Sequence, residues 1–172
     1  MNEKGPIYQT KLFGLDKYMN ELIQLNDSNR LPNKILLSGQ KGLGKSTLAY
    51  HFINYILSKS EEFPYDQSKF EINTENQSFK TILNRTNLNF SLIDVNSLNK
   101  SIDINQIREL ILKLNKSSLN DKKRFILIDN IEFLNINSVN ALLKVLEEPS
   151  SNTYFILINN NKRVLPTLLS RC

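Results

Sequence analysis

Cysteine is almost missing from this sequence: among its 172 residues there is one, Cys172. A single cysteine rules out an intramolecular disulfide and any zinc site built from several thiolates. Disulfides belong to oxidising compartments, so we expect a reducing cytosol and a cytoplasmic protein. Histidine is equally scarce. The one histidine, His51, has no cysteine or carboxylate cluster at ligand spacing, which predicts a packing or surface role and no metal site.

Long apolar runs are also lacking. The run Phe155–Ile158 is among the longest, far below the ~20 residues that a membrane-spanning helix needs, so no membrane association is expected. Five glycines and five prolines are too few for a collagen-like or low-complexity chain. A chain of this length, with 40% hydrophobic residues, is sufficient for one well-buried domain over residues 1–172.

The charge balance is mildly basic, with 22 Lys and Arg against 17 Asp and Glu and a formal net charge of +5. An anionic partner such as nucleic acid fits this balance, but ordinary solvated surfaces have the same character. Charge alone therefore does not identify a partner.

A phosphate-binding motif is what the sequence does contain. Residues 35–37 are apolar, and the next stretch fits G-x-x-x-x-G-K-[ST] at every fixed position. Apolar residues then recur three or four positions apart, which predicts a helix directly after the loop. The candidate nucleotide-binding residues are Gly39, Gln40, Lys41, Gly42, Leu43, Gly44, Lys45, Ser46 and Thr47.

The residue types in this motif have chemical reasons. Glycines let backbone N–H groups turn towards a polyphosphate, and a helix N-terminus adds partial positive charge. Lys45 is expected to reach the β- and γ-phosphates of ATP, and the Ser46 hydroxyl to ligate Mg²⁺. Asp129 ends another apolar run, where a P-loop NTPase places the acidic residue of its Mg²⁺ shell, and is the second metal candidate.

Strand-like apolar runs alternate with helical patterns along the chain. This alternation predicts a three-layer α/β fold, the P-loop NTPase arrangement, with a mostly parallel sheet flanked by helices. The predicted strands are Ile35–Leu37, Phe90–Val95, Arg124–Asp129 and Thr153–Ile158. The predicted helices run from Leu15 to Leu25, from the loop to about Lys59, from a cap at Asp103, from a cap at Asn137 or Ser138 to before Pro149, and from Pro166.

Residues 60–88 break the alternation, because they are polar and carry Pro64. We predict a surface insertion with one short helix near Phe79 to Leu83. Its aromatic residues are expected to anchor it to the core and not to stack on bases. They are Phe63, Tyr65, Phe70 and Phe79.

Five further segments resemble one family. Leu12–Gly14 is similar to its LFG opening, and Arg30–Leu37 to its RLPHAxLL strand entry. Ile128–Asn135 is similar to its Walker B segment, Asn140–Pro149 to NALLKxLEEP, and Leu165–Cys172 to LPTxxSRC. On these segments, spread over nearly the whole chain, the sequence resembles the ATPase core of AAA+ clamp loaders of bacterial DNA polymerase III, most closely their delta-prime subunits.

This resemblance implies a subunit of a hetero-oligomeric ring of clamp-loader subunits, in which each ATP lies at an interface. Arg171 matches the arginine finger that such a subunit places in trans against its neighbour's γ-phosphate, a role that suits a planar, permanently charged guanidinium. Asn159 or Asn160 matches the polar sensor position near the γ-phosphate. The sliding clamp and primed DNA would be reached through the assembly, and polymerase activity would belong to other subunits of the holoenzyme.

The sequence departs from this family in three respects. Asn130 stands where active ATPases of the family carry Glu, and an amide cannot accept a proton from the attacking water. Glu132, two residues further on, need not point the same way, so we expect ATP binding but weak or no intrinsic hydrolysis. The four-cysteine zinc module of many relatives is replaced by residues 60–88. Because the sequence stops before the family's lid and collar domains, a fragment or truncated product is expected.

Three functions remain open at this point. The first is a stator that binds ATP and lends Arg171 to a neighbour. The second is an active gamma/tau-type ATPase motor, which the intact loop favours and Asn130 disfavours. The third is a P-loop kinase, for which the sequence offers no lid or acceptor-site residues and which leaves the Ser-Arg-Cys ending unexplained.

Overall fold

The computed structural model describes residues 5–95, 101–115, 122–160 and 166–171, so Cys172 lies outside the described residues. In these ranges no helix is both long and apolar enough to cross a membrane. The helices are α1 (Asp16–Asp27), α2 (Lys45–Ser58), α3 (Gln77–Leu83), α4 (Ile104–Leu114), α5 (Ile136–Glu147) and α6 (Pro166–Leu169). The strands are β1 (Lys34–Ser38), β2 (Phe90–Ile93), β3 (Arg124–Ile128) and β4 (Thr153–Asn159), and two short 3-10 helices cover Pro6–Tyr8 and Ile131–Phe133.

The four strands form one parallel sheet in the order β1-β4-β3-β2. β4 is paired on both sides, with Lys34 of β1 opposite Phe155 and Arg124 of β3 opposite Thr153. The near-continuous apolar runs are therefore explained by burial on both faces of a parallel sheet. β2 and β3 are shorter than expected at their carboxyl ends, so that Asp94 and Asp129 are the first residues beyond them.

The described chain forms two compact units. The sheet unit comprises Asn33–Leu43 and Phe90–Cys172, and the helical unit comprises Met1–Pro32 and Gly44–Asn89. The core of the sheet unit is built from the buried residues of β3 and β4 together with apolar side chains of α4 and α5. The helix side chains in this core are Ile107, Leu110, Val139, Leu142 and Leu146.

Two helices of the sheet unit, α4 and α5, begin at side-chain caps. Asp103 caps α4 as expected, and the Gln106 side chain accepts from the Asp103 N–H, which completes a capping box. The cap of α5 was expected at Asn137 or Ser138, and that expectation is wrong. Asn135 is the cap, because its Oδ1 accepts from the Ser138 N–H at 2.8 Å. The Ser138 hydroxyl instead donates to the Ile102 carbonyl at 3.1 Å.

The helical unit contains α1, α2 and α3, and the expected short helix of the 60–88 stretch is α3. Tyr65 and Phe79 are buried and Phe70 is half-buried, but Phe63 is 42% exposed, so its predicted anchoring role is wrong. Tyr65 takes the interior position, where its N–H donates to the Ser58 hydroxyl at 3.0 Å. The aromatic anchoring that was expected is therefore found at Tyr65 and Phe79, and a polar contact of the Tyr65 backbone adds to it.

Candidate functional site

The candidate phosphate loop leads from β1 into α2. Its first part, residues 39–43, belongs to the sheet unit, and its second part opens α2 in the helical unit. Gly42 has φ 91° and Gly44 has φ 77°, left-handed conformations that favour glycine over any residue with a Cβ. A Cβ added at Gly44 would lie 2.9 Å from Leu15 Cδ1. Backbone conformation and space thus both require glycine at position 44.

The second part of the loop forms the start of a helix. Gly44 is the N-cap of α2, and its carbonyl accepts from the Leu48 N–H at 2.8 Å. Lys45, Ser46 and Thr47 therefore occupy the first turn, where backbone N–H groups lack intrahelical acceptors and carry partial positive charge. This local conformation suits an anionic phosphate.

The carboxyl edge of the sheet gathers polar residues in the sheet unit. Ser38 and Asn159 are the last residues of β1 and β4, while Asp94 and Asp129 directly follow β2 and β3. Neighbouring strand ends are tied here by backbone bonds: the Asp129 N–H donates to the Ile93 carbonyl at 2.9 Å. Because the strands are parallel, all four ends lie at the same edge, where open α/β sheets bind their ligands.

Asn159 is buried at this edge, with 7% of its surface exposed. Its Nδ2 donates to the Ser38 hydroxyl at 3.3 Å, and its carbonyl accepts from the Gly39 N–H at 3.3 Å. Among the described residues, its buried Oδ1 has no hydrogen-bond partner. A buried acceptor of this kind calls for a donor beyond the described residues, and a water is one group that could supply it.

Asn160, the other sensor candidate, has different contacts. Its Nδ2 donates to Asn130 Oδ1 at 2.8 Å, and its backbone N–H donates to Glu132 Oε2 at 3.3 Å. Glu132 is thus engaged with the backbone after β4. Asn159 contacts the residues that start the phosphate loop, whereas Asn160 contacts the segment that follows Asp129.

Asn130 connects three strand ends. Its backbone N–H donates to Asp129 Oδ1 at 2.8 Å, and its Nδ2 donates to Asp94 Oδ1 at 2.8 Å. Its Oδ1 accepts from Asn160, as described above. Asp94 was not predicted as a site residue, because the sequence predicted a strand that runs through it to Val95. Its signal in the sequence was a carboxylate near the end of an apolar run, as at Asp129.

Metal binding is compatible with the oxygen donors present. In the sheet unit Asp129 carries a carboxylate, and in the helical unit Ser46 carries a hydroxyl; each is a hard oxygen ligand of the kind that Mg²⁺ prefers. The described part of the chain contains no group of three or more His, Cys, Asp or Glu side chains that could hold a metal. A metal bound through one or two protein oxygens would therefore take its remaining ligands from phosphate and water, as is usual for Mg²⁺.

Arg171 lies beyond α6 and is paired within the sheet unit. Its Nη2 is 2.8 Å from Glu147 Oε1 at the end of α5, and both side chains are about half exposed. The guanidinium is therefore at the surface, engaged by one oxygen of an exposed carboxylate.

Comparison with known proteins points to one family. The family model described as DNA polymerase III, delta subunit, matches residues 14–172. The chain is similar to the DNA polymerase III subunit delta' of Pseudomonas aeruginosa, with 29% identity over 87% of this chain and 44% of that protein. It is also similar to the DNA polymerase III subunit gamma/tau of Mycoplasma genitalium, with 28% identity over 97% of this chain and 27% of that protein. The chain thus spans less than half the length of either relative.

Solved structures support the fold. The chain is similar to a DNA polymerase III gamma subunit-related protein from Thermotoga maritima, with a TM-score of 0.55 and 18% identity. This match covers 91% of the chain and 42% of that protein. Together with the parallel sheet, the likeness confirms the expected α/β fold.

Proposed function

Because the chain belongs to the family described as DNA polymerase III, delta subunit, we propose that it is an ATP-binding clamp-loader subunit acting in DNA replication. Residues 1–172 would form its ATPase core domain. The observation that carries this proposal is the phosphate loop, with left-handed glycines before the first turn of α2. The curated relatives, named as delta' and gamma/tau subunits of DNA polymerase III, support the placement in a clamp loader.

The nucleotide would be ATP with Mg²⁺. Loop N–H groups and Lys45 would hold the β- and γ-phosphates, while Ser46 and Asp129 would supply protein oxygens to the metal. Bound Mg²⁺ neutralises charge on the phosphates. The buried Oδ1 of Asn159, which has no partner among the described residues, would accept a hydrogen bond from water at the same edge.

The subunit would act mainly on its neighbours. Asn130 supplies no carboxylate next to Asp129, so intrinsic hydrolysis would be weak or absent. Arg171 would be the arginine finger for a neighbouring subunit's ATP, and its exposure is consistent with contact to another chain. The partners would be other clamp-loader subunits in a cytoplasmic ring, with the sliding clamp and primed DNA engaged through the assembly.

An active gamma/tau-type motor is the second candidate. The intact loop and the similarity to a gamma/tau subunit favour it. It requires a proton acceptor for the attacking water, and the contact of Glu132 with the Asn160 N–H argues against Glu132 in this role.

Equilibrium binding of ATP and ADP, with and without Mg²⁺, tests the proposal. We compare the wild type with Lys45→Ala and with Lys41→Ala, a matched loss of charge at the exposed tip of the same loop. We expect Lys45→Ala to weaken ATP binding at least tenfold and Lys41→Ala to change it much less. Equal effects, or no binding by a wild-type chain with a cooperative unfolding transition, would overturn the assignment of this loop as a nucleotide site.

A further inference from the structure

We propose that Asn130 is a positioning residue which ties the ends of β2, β3 and β4 together, and that Asp94 is the reason why this position carries an amide. The proposal rests on the proposed function only in taking the tied edge to be the place where Mg²⁺ and the terminal phosphate bind. Under this view, Asn130 is more than a lost catalytic carboxylate, because it holds other site residues in place.

The side chain of Asn130 both donates and accepts. Its Nδ2 donates to Asp94 Oδ1 and its Oδ1 accepts from Asn160 Nδ2, each at 2.8 Å. A carboxylate can only accept when ionised, whereas a primary amide offers both functions in one planar group. The pair of partners therefore selects an amide at position 130.

The backbone of Asn130 adds a second requirement. Its φ of 58° and ψ of 46° are left-handed, a conformation in which Asn is several-fold enriched among residues with a side chain. In this conformation its N–H donates to Asp129 Oδ1 at 2.8 Å, which orients the candidate metal ligand. Glutamate at this position would meet neither the backbone preference nor the need for a donor.

Asp94 is fixed in position by hydrogen bonds of its own, so its carboxylate stays beside position 130. Its Oδ1 also accepts from the Val95 N–H at 2.6 Å, and its carbonyl accepts from Gln106 Nε2 at 2.8 Å. Gln106 is itself part of the capping box of α4. Because both the side chain and the backbone of Asp94 are fixed, it cannot easily turn away from a new negative charge at position 130.

Asp94 would thus disfavour a carboxylate next to Asp129. Restoring Glu at position 130 alone places like charges in contact, and it is not expected to produce an active ATPase. The substitution Asp94→Asn would remove the charge repulsion between the two side chains. It would not restore both hydrogen bonds, because the Val95 N–H and the Asn130 side chain meet the same oxygen of Asp94, and one amide atom cannot accept from the first and donate to the second.

An exchange of the two side chains tests the tie. We measure thermal unfolding of the ligand-free chain for the wild type, Asp94→Asn, Asn130→Asp and the double variant, which has the composition of the wild type with acid and amide exchanged. Asn130→Asp is expected to lower the Tm by roughly 3–8 °C at pH 7.5 and Asp94→Asn to have a small effect. The double variant should recover part of the loss, because it no longer places two carboxylates in contact.

The four chains form a thermodynamic cycle in which the coupling between positions 94 and 130 is measured directly. If the effects of the two single variants simply add in the double variant, the proposed tie is overturned.

Nucleotide binding tests whether the tie positions the metal ligand. Asn130→Gly keeps left-handed backbone accessible and removes both side-chain bonds, so the gain in ATP affinity that Mg²⁺ provides should fall by about tenfold. Binding of ADP without Mg²⁺ should be unchanged. Asn152→Gly, at another left-handed asparagine (φ 59°), is the matched control and should alter neither. An undiminished Mg²⁺ effect in Asn130→Gly would refute the positioning role. The comparison of Lys45→Ala with the wild type tests the nucleotide site itself, so failure of the positioning role and failure of the proposed function can be told apart.

Discussion

Acid sensitivity of the helical unit follows from one buried imidazole. His51 on α2 is completely buried, with Nε2 2.9 Å from the Gln9 carbonyl and Nδ1 2.9 Å from the Tyr65 hydroxyl. Since a carbonyl oxygen only accepts, Nε2 carries the hydrogen, and Nδ1 accepts from the Tyr65 O–H. Both nitrogens are satisfied in the neutral ring. Burial lowers the pKa of His51 from 6.5 to about 4, against the smaller opposing effect of the Gln9 carbonyl.

The size of the effect follows from proton linkage. Below pH 6.5 the unfolded chain binds a proton at His51 that the folded chain excludes until about pH 4. Stability is therefore lost as the pH falls through this window, and it is unaffected above it. Between pH 7 and pH 5 the loss from this residue amounts to about 2 kcal/mol in the free energy of unfolding.

Urea unfolding at several pH values between 5 and 7.5 measures this loss. Other groups also titrate near the lower end, so the informative quantity is the difference between the wild type and His51→Gln, which cannot gain a proton. Tyr65→Phe serves as a control: it loses the O–H donor and some stability, but it keeps the buried ring and therefore the pH dependence. If His51→Gln loses as much stability between pH 7 and pH 5 as the wild type does, the buried neutral imidazole is refuted.

Two further predictions concern the phosphate loop and the exposed ion pair. Gly44→Ala should lower the free energy of unfolding by about 1–2 kcal/mol because its backbone is left-handed. The loss should exceed that of Gly42→Ala, because only at position 44 would the new Cβ lie 2.9 Å from Leu15 Cδ1. In a urea-unfolding cycle, adding Leu15→Ala should remove this extra loss. Arg171→Ala should change stability by under about 1 kcal/mol and reduce ATP turnover of the assembled complex by about 10³-fold. Glu147→Gln, which breaks the same ion pair, should leave turnover nearly intact, and equal losses would contradict the finger assignment.

The strands could be predicted because they are buried on both faces. The runs around Phe125–Ile128 and Phe155–Ile158 are apolar at successive positions and show no other periodicity, so their existence and parallel pairing follow from pattern alone. The order of the strands in the sheet does not follow from the apolar pattern, because all four strands carry similar apolar runs and the pattern does not say which of them pair. The glycine loop between β1 and α2 could likewise be predicted, because its glycines and its lysine have fixed spacing along the chain, while phosphate binding by this loop stays a prediction.

Contacts between distant residues could not be predicted in the same way. Asp94 and Asn130 are 36 positions apart, and nothing near either residue indicates that they share a hydrogen bond. The predicted cap of α5 was wrong for a related reason. Asn135 and Ser138 are both good caps in isolation, and the choice between them is made by the Ile102 carbonyl, which engages the Ser138 hydroxyl.

The order of strands in the sheet also bears on how the polypeptide is synthesised. Among the strands that the structure describes, β1 pairs with β4 alone, and Lys34 lies opposite Phe155, more than one hundred residues later in the chain. At translation rates of roughly 5–20 residues per second, β1 leaves the ribosome on the order of ten seconds before its partner exists. Throughout that time the apolar Ile35–Leu37 segment has no strand beside it, and chaperone binding to the nascent chain would protect it from aggregation.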